Sequence, residues 1–157
     1  MLFSKNCFFK QNKAYLKVKR IDIYNLLLIK EYTSIQSKIY LKAYDYFTDS
    51  PNEFDGATIV KDLNDIPELD LDAMLHDYHY LKYNVASSLK YKILADWLYT
   101  KQQEKKGKGL YSSISRLILL SIFGFFITLF SLIKRGKITD EQKKEFLEEY
   151  NILMKRL

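Results

Sequence analysis

"KAYLKVKR" (residues 13–20) is the stretch whose reading decides the fold class of this chain. It sets Tyr15, Lys17 and Lys19 against Leu16 and Val18, an alternation of period two. Successive side chains of a strand point to opposite faces, so this pattern predicts a half-buried strand. "KIYLKAYDYF" (residues 38–47) repeats it, with Ile39, Leu41 and Ala43 set against Tyr40, Lys42 and Tyr44. Between the two, "DIYNLLLIKEYTSIQ" (residues 22–36) is rich in isoleucine, leucine and tyrosine, which suits a pleated, partly buried surface. Leu26, Leu27, Leu28 and Ile29 form an apolar run that also fits a buried helix, and periodicity alone does not choose between the two. The reading is a small antiparallel sheet or meander over residues 1–50.

Beyond it, "TDSPNEFDGATIV" (residues 48–60) is a turn-rich connection, with turn signals at Ser50-Pro51-Asn52 and Asp55-Gly56. Asp70 or Asp72 then caps a predicted helix through Ala73, Leu75, His76 and Tyr80. A second helix is predicted from about Ser87 to Glu104. There Leu89, Ile93, Leu94, Trp97 and Leu98 recur at helical spacing, and "EKKGKG" (residues 104–109) ends it. A third helix starts near Ser112. A fourth starts at Thr139, where Gln142 three residues on completes a capping box, and its apolar face carries Phe146, Leu147, Tyr150 and Leu153. The expected fold class is therefore α+β: N-terminal antiparallel strands, then three or four helices, one of them very apolar. The segments are 1–50 (strand-rich), 51–110 (acidic loop and a helix pair) and 111–157 (apolar and amphipathic helices), together one domain with an extension.

Thirteen tyrosines and ten phenylalanines supply an aromatic core, while five glycines and two prolines are too few for a long low-complexity region. A single cysteine, Cys7, excludes an intramolecular disulfide framework and points to a reducing compartment or a particle interior. The first residues, "MLFSKNCFFKQNK", contain no apolar run suited to a secretory signal. The net charge of +6 is unevenly placed. From Asp45 to Asp77 there are ten acids and one lysine, Lys61; from Lys101 to Lys137 there are eight basic residues and one acid, Glu104. The two segments either neutralise one another or serve as contact surfaces. Residues 101–108, with Tyr99 and Tyr111 nearby, would permit nucleic-acid contact, but no helix-turn-helix pattern supports it, so nucleic acid is not the expected partner.

"LILLSIFGFFITLFSLI" runs from Leu117 to Ile133 without a charge, between Arg116 and Lys134-Arg135. At 1.5 Å rise per residue this is the lower edge of what spans a bilayer. Membrane contact and a buried or interface helix are both open readings. Ser121, Gly124, Thr128 and Ser131 suit close helix packing in either setting.

The candidate chemistry lies in "LDLDAMLHDYHYL" (residues 69–81). On a helix, His76 and Tyr80 share a face one turn apart, and Asp72 precedes His76 by a turn. An imidazole oriented by a carboxylate can activate water as a general base. Asp77, directly after it, could hold a divalent cation beside that water. In the next helix Asp96 lies in the apolar window "ILADWLY" (residues 93–99), where a carboxylate is costly unless paired. A histidine on the neighbouring helix is a suitable partner, so a His76–Asp96 contact with Tyr80 close by is expected. Such a contact serves either catalysis or helix register. His79 falls on another face and is read as surface or partner-facing. Two histidines three residues apart with one remote cysteine make a poor zinc set.

"FDGATIV", "AMLHDYHY" and "LADWLY", in this order and followed by an apolar helix, resemble a small phage-encoded family of unknown function. Its members carry D-[FG]-A-[ST] in a loop, H-D-x-x-Y on a helix and A-D on the next helix. Lys61 stands where members usually carry proline. The H-D-x-x-Y helix is also distantly similar to that of phospholipases A2. That resemblance implies His76 as base, Tyr80 and Asp96 as its orienting pair, and Asp77 with the Asp55-Gly56 loop as calcium ligands. The loop has one glycine where those enzymes use a glycine-rich backbone. The phage resemblance implies a virion or virion-associated structural or interaction protein, found in a phage particle or the host cytoplasm. Its implied partners are other virion proteins or further copies of itself. The alternative is a calcium-dependent lipid hydrolase with membrane contact through the apolar run.

Overall fold

The structure, a computed structural model, describes residues 8–53, 70–107 and 136–157, with the single positions Ser115, Ile118 and Ile133. Two of the sequence's features, the Asp55-Gly56 loop and nearly all of the run from Leu117 to Ile133, lie outside the described residues. The chain divides into two compact units, Met1–Asp77 and Tyr78–Leu157.

The first unit overturns the expected sheet. Among the described residues there is no strand; the N-terminal part is a 3-10 turn at Phe8–Lys10 followed by helices α1 (Lys13–Ile29) and α2 (Ser34–Asp49). The molecule is helical, not α+β. The alternation fails at the second apolar residue: Leu16 is buried, but Val18 is 56% exposed. The residues of α1 that are buried are Leu16, Ile23 and Leu27, spaced by seven and four as one face of a helix requires. In α2 residues of both alternating sets go inside, all but Lys42. Ile39, Leu41 and Ala43 are buried, and so are Tyr40, Tyr44 and Phe47, which follow a helical step.

Local chemistry sets the boundaries of both helices. The Asn12 side chain accepts from the Tyr15 amide and caps α1. At the other end Tyr32 N donates to Leu27 O and Glu31 N to Leu28 O, with Glu31 at φ 61. This is a Schellman termination, in which buried Leu27 and Tyr32 provide the accompanying apolar pair. Glycine usually fills the left-handed position; here it is glutamate. Two residues later Thr33 and Gln36 form a complete capping box that starts α2.

α1 packs against α2. Arg20 grips Asp45 with two hydrogen bonds, 2.6 Å from Nε and 2.8 Å from Nη2, and the Tyr44 hydroxyl donates to the Leu16 carbonyl at 2.8 Å. Phe8 and Phe9 close one end against Tyr44, and Phe9 also stacks obliquely on Phe47. The turn expected at Ser50-Pro51-Asn52 is present, closed by Glu53 N donating to Ser50 O.

The helices predicted at Asp70, Ser87 and Thr139 exist as α3 (Leu71–Lys82), α4 (Leu89–Lys105) and α5 (Asp140–Met154). The division between the units falls within α3. In the second unit a 3-10 turn, Val85–Ser87, leads into α4, which packs against α5. Asn84, in the left-handed region at φ 51, sends its side-chain amide to the Gly136 carbonyl at 3.0 Å. The Ser87 hydroxyl accepts from Ile138 N at 2.8 Å. These two bonds fix the chain just before the Thr139–Gln142 capping box of α5. α4 ends as the sequence indicated, with Gly107 at φ 87 just past its last turn.

The inward face of α4 is only partly the expected one: Leu98 is buried and Leu94 half-buried. Leu89, Ile93 and Trp97 are 62%, 48% and 38% exposed, while Lys92, Asp96 and Thr100 are buried. A polar stripe faces inward beside the apolar Ala95, Leu98 and Tyr99.

Candidate functional site

The polar residues of α3 fall into separate groups because the helix is covered on most of its surface. Leu71, Ala73, Met74, Leu75 and Tyr78 are all buried, so the polar side chains between them must find partners inside. Asp70 caps the helix, its Oδ1 accepting from Asp72 N at 3.0 Å and Ala73 N at 3.3 Å. Asp72 is fully buried, and its Oδ1 accepts from the Tyr40 hydroxyl of α2 at 2.9 Å. Burial first, and then the nearby Asp72 charge, push the Tyr40 phenol well above its ordinary value, so it stays a donor.

His76, the expected base, is half-buried, with Nδ1 3.4 Å from Asp77 Oδ1. That distance is beyond a good hydrogen bond, though it keeps the imidazole beside a carboxylate. Asp77 is the one expected calcium ligand that is described; Asp55 and Gly56 lie outside the described residues. Among the described residues no group of three or more histidine, cysteine, aspartate or glutamate side chains could hold a metal ion.

Tyr80 and Asp96 come together. The Tyr80 hydroxyl donates to Asp96 Oδ1 at 2.6 Å. The other oxygen of Asp96 accepts from Lys92 Nζ at 2.5 Å, one turn earlier on α4. The Lys92 and Asp96 side chains are 2% and 1% exposed, so the pair is an ion pair within the interior. Thr100, one turn later, donates its hydroxyl to the Asp96 carbonyl and continues the stripe. The expected role of Asp96 was to orient and charge-stabilise a histidine. A carboxylate already neutralised by an ammonium at this distance stabilises an imidazolium less than a free one would.

His79 corrects the sequence reading. It is buried rather than surface-facing, with Nε2 3.3 Å from Glu149 Oε2 of α5. Glu149 is itself buried, and its second oxygen accepts from the Tyr83 hydroxyl at 2.9 Å. The Tyr78 and Tyr83 hydroxyls lie 3.2 Å apart and extend the chain. Phe146 packs edge-on to His79 and tilted against Tyr83, shielding this group with an aromatic wall. Burial is the largest cause of a strong upward displacement of the Tyr83 phenol, with its bond to Tyr78 next.

Sequence reasoning thus missed Lys92, Tyr83 and Glu149. Lys92 had a local signal: a lysine four residues before an aspartate shares its helical face. Glu149 had none, because its partner His79 is seventy positions away.

No protein-family model, no curated protein and no solved structure matches this chain.

Proposed function

We propose that this chain is a structural or interaction protein of a phage particle, with its buried polar groups serving helix packing rather than chemistry. The observation that carries this reading is the double engagement of two of the buried carboxylates. Asp96 is held by Tyr80 and Lys92, and Glu149 by His79 and Tyr83. The Tyr80 bond of Asp96 and the His79 and Tyr83 bonds of Glu149 fix which helices meet and in which register, while Lys92 neutralises Asp96 from its own helix. The aromatic-rich core and the solvent-facing apolar residues of α1 and α4 agree with a chain that assembles with others. The place of action under this reading is the particle or the host cytoplasm. The test is quantitative mass spectrometry of gradient-purified particles from a phage that encodes the chain. A fixed copy number per particle is expected. A chain made in infected cells but absent from particles would overturn the reading.

One observation favours a second reading, a calcium-dependent hydrolase of lipid esters. It is the short Tyr80–Asp96 bond, the pair that reading assigns to orienting the His76 base. Fatty-acid release from anionic vesicles with calcium present, lost in His76→Ala, would establish it; no release by the unmodified protein would eliminate it. Membrane contact through Leu117 to Ile133 is a separate proposal. Among the described residues no helix is long and apolar enough to cross a membrane, and the run lies outside them. Retention on membranes through an alkaline carbonate wash would support that contact.

A further inference from the structure

α1 has two apolar faces, and among the described residues its neighbours use only one. Leu16, Ile23 and Leu27 are buried in the first unit. On the outer side Ala14, Val18, Ile21, Asn25 and Leu28 are all exposed, Val18 at 56%, Ile21 at 61% and Leu28 at 44%. Their spacing is four, three, four, three, an average of 3.5 residues. A helix that only meets water carries polar residues on such a face, whereas a 3.5-residue apolar period is the seam of a supercoiled helix pair.

We infer that this face is the seam of a parallel, two-stranded coiled coil with a second copy of the chain. The inference deepens the assembly reading by naming one partner, and rests on it. Three features point to a copy of the chain itself. The spacing places Val18 and Asn25 at the a positions, and Ala14, Ile21 and Leu28 at the d positions. Val18 at a suits two strands while Ile21 at d does not, and the single asparagine at a decides register and strand number in favour of two. In a parallel in-register pair, Asn25 meets Asn25 of the partner subunit, amide to amide, so that each side chain has both a donor and an acceptor opposite it. An antiparallel pair would set Asn25 against an aliphatic d residue.

Charge agrees with the parallel arrangement. Lys17 falls at a g position and Asp22 at the e position five residues on. The seam therefore places Lys17 beside Asp22 of the partner subunit, and the symmetry repeats the contact on the other side. Asp22 holds Lys19 at 2.9 Å within the single chain, a part-exposed pair that is easily shared. At the following g and e positions Tyr24 and Ile29 widen the apolar seam, Ile29 being 79% exposed.

Sedimentation equilibrium of the full chain tests this. The expected mass is twice the 18.7 kDa of one chain, and Ile21→Lys returns it to the single value. Ile21 faces water in the single chain, so helicity is retained; Val18→Glu serves as the second variant if it is not. Direction is read by oxidation in a Cys7→Ser background. Ala14→Cys and Leu28→Cys should each cross-link to themselves. A chain that is monomeric at all concentrations overturns the proposal. So does a dimer indifferent to Ile21→Lys and Val18→Glu, or cross-linking only when the two cysteine variants are mixed. A monomer that still enters particles removes the seam and leaves the assembly reading, while a dimer absent from particles does the reverse.

Discussion

Lys92 and Asp96 pose the sharpest question at the scale of single residues. Each is buried and each neutralises the other, so the cost of removing one is set by the charge left behind. Lys92→Met should destabilise the protein by about 3–5 kcal/mol, because it leaves a buried carboxylate with one of its strong donors gone. Urea unfolding with matched slopes would measure this, and a loss below about 1 kcal/mol would mean that water reaches Asp96 after the change. The site was partly legible at this scale. Tyr80 and Asp96 could be brought together because an aspartate in an apolar window demands a partner and a helix places Tyr80 nearby. The second partner, Lys92, lies not on a facing helix but one turn earlier on α4, where an i, i+4 lysine needs no tertiary contact to be within reach. His79 reads as surface-facing because it falls on another face of the helix than His76. Its partner, Glu149, is supplied only by the packing of the second unit.

The elements divide into those whose ends were written plainly and those whose ends were not. Thr139 with Gln142 marks α5, Asp70 marks α3, and Gly107 closes α4. The α1–α2 turn carries equivalent signals in a harder form. Thr33 and Gln36 make the same capping box as Thr139 and Gln142, but they sit inside a β-branched and aromatic stretch whose local alternation suggested strands. The preceding stop has glutamate where glycine would have announced it. Glu31→Gly should therefore stabilise the protein by roughly 0.5–1 kcal/mol by relieving the left-handed backbone, the gain reduced by glycine's greater freedom when unfolded. Thr33→Ala should act in the opposite sense, by about 1 kcal/mol. Paired thermal or urea unfolding curves check both signs, and a destabilising Glu31→Gly would count against the Schellman termination. The apolar residues of α4 show the same lesson from another side. Their spacing located the helix correctly and its inward face only in part: Leu98 is inside, but Leu89, Ile93 and Trp97 are not, because the buried Lys92, Asp96 and Thr100 recur with the same period.

For the whole molecule, three interior phenols set a shared dependence on alkali. Tyr40, Tyr44 and Tyr83 all titrate above the ordinary value of 10.0, and burial is the first cause in each case. A raised folded-state value means that the folded chain keeps protons which the unfolded chain releases. The stability contributed is complete below pH 10 and is lost as the pH rises above it. Unfolding free energy measured across that range should fall steadily, and less steeply in Tyr83→Phe; a flat profile would show that the phenols ionise in place. At this scale the sequence supplied the count of aromatic residues and the absence of an intramolecular disulfide. It did not supply the helical class, because the period-two signal of residues 13–20 and 38–47 is short and tertiary packing overrides it.

The central claim is that the buried charges hold helices together and that the chain works by assembly. The most direct test is the copy number, in purified particles, of the double variant Lys92→Met/Asp96→Leu, which replaces the ion pair with apolar side chains. If the pair serves packing, the variant loses no more than the Tyr80 bond contributes, about 1–2 kcal/mol, and enters particles at the same copy number. A variant that folds normally but is missing from particles would contradict the account, because Asp96 and Lys92 would then have a task beyond the fold.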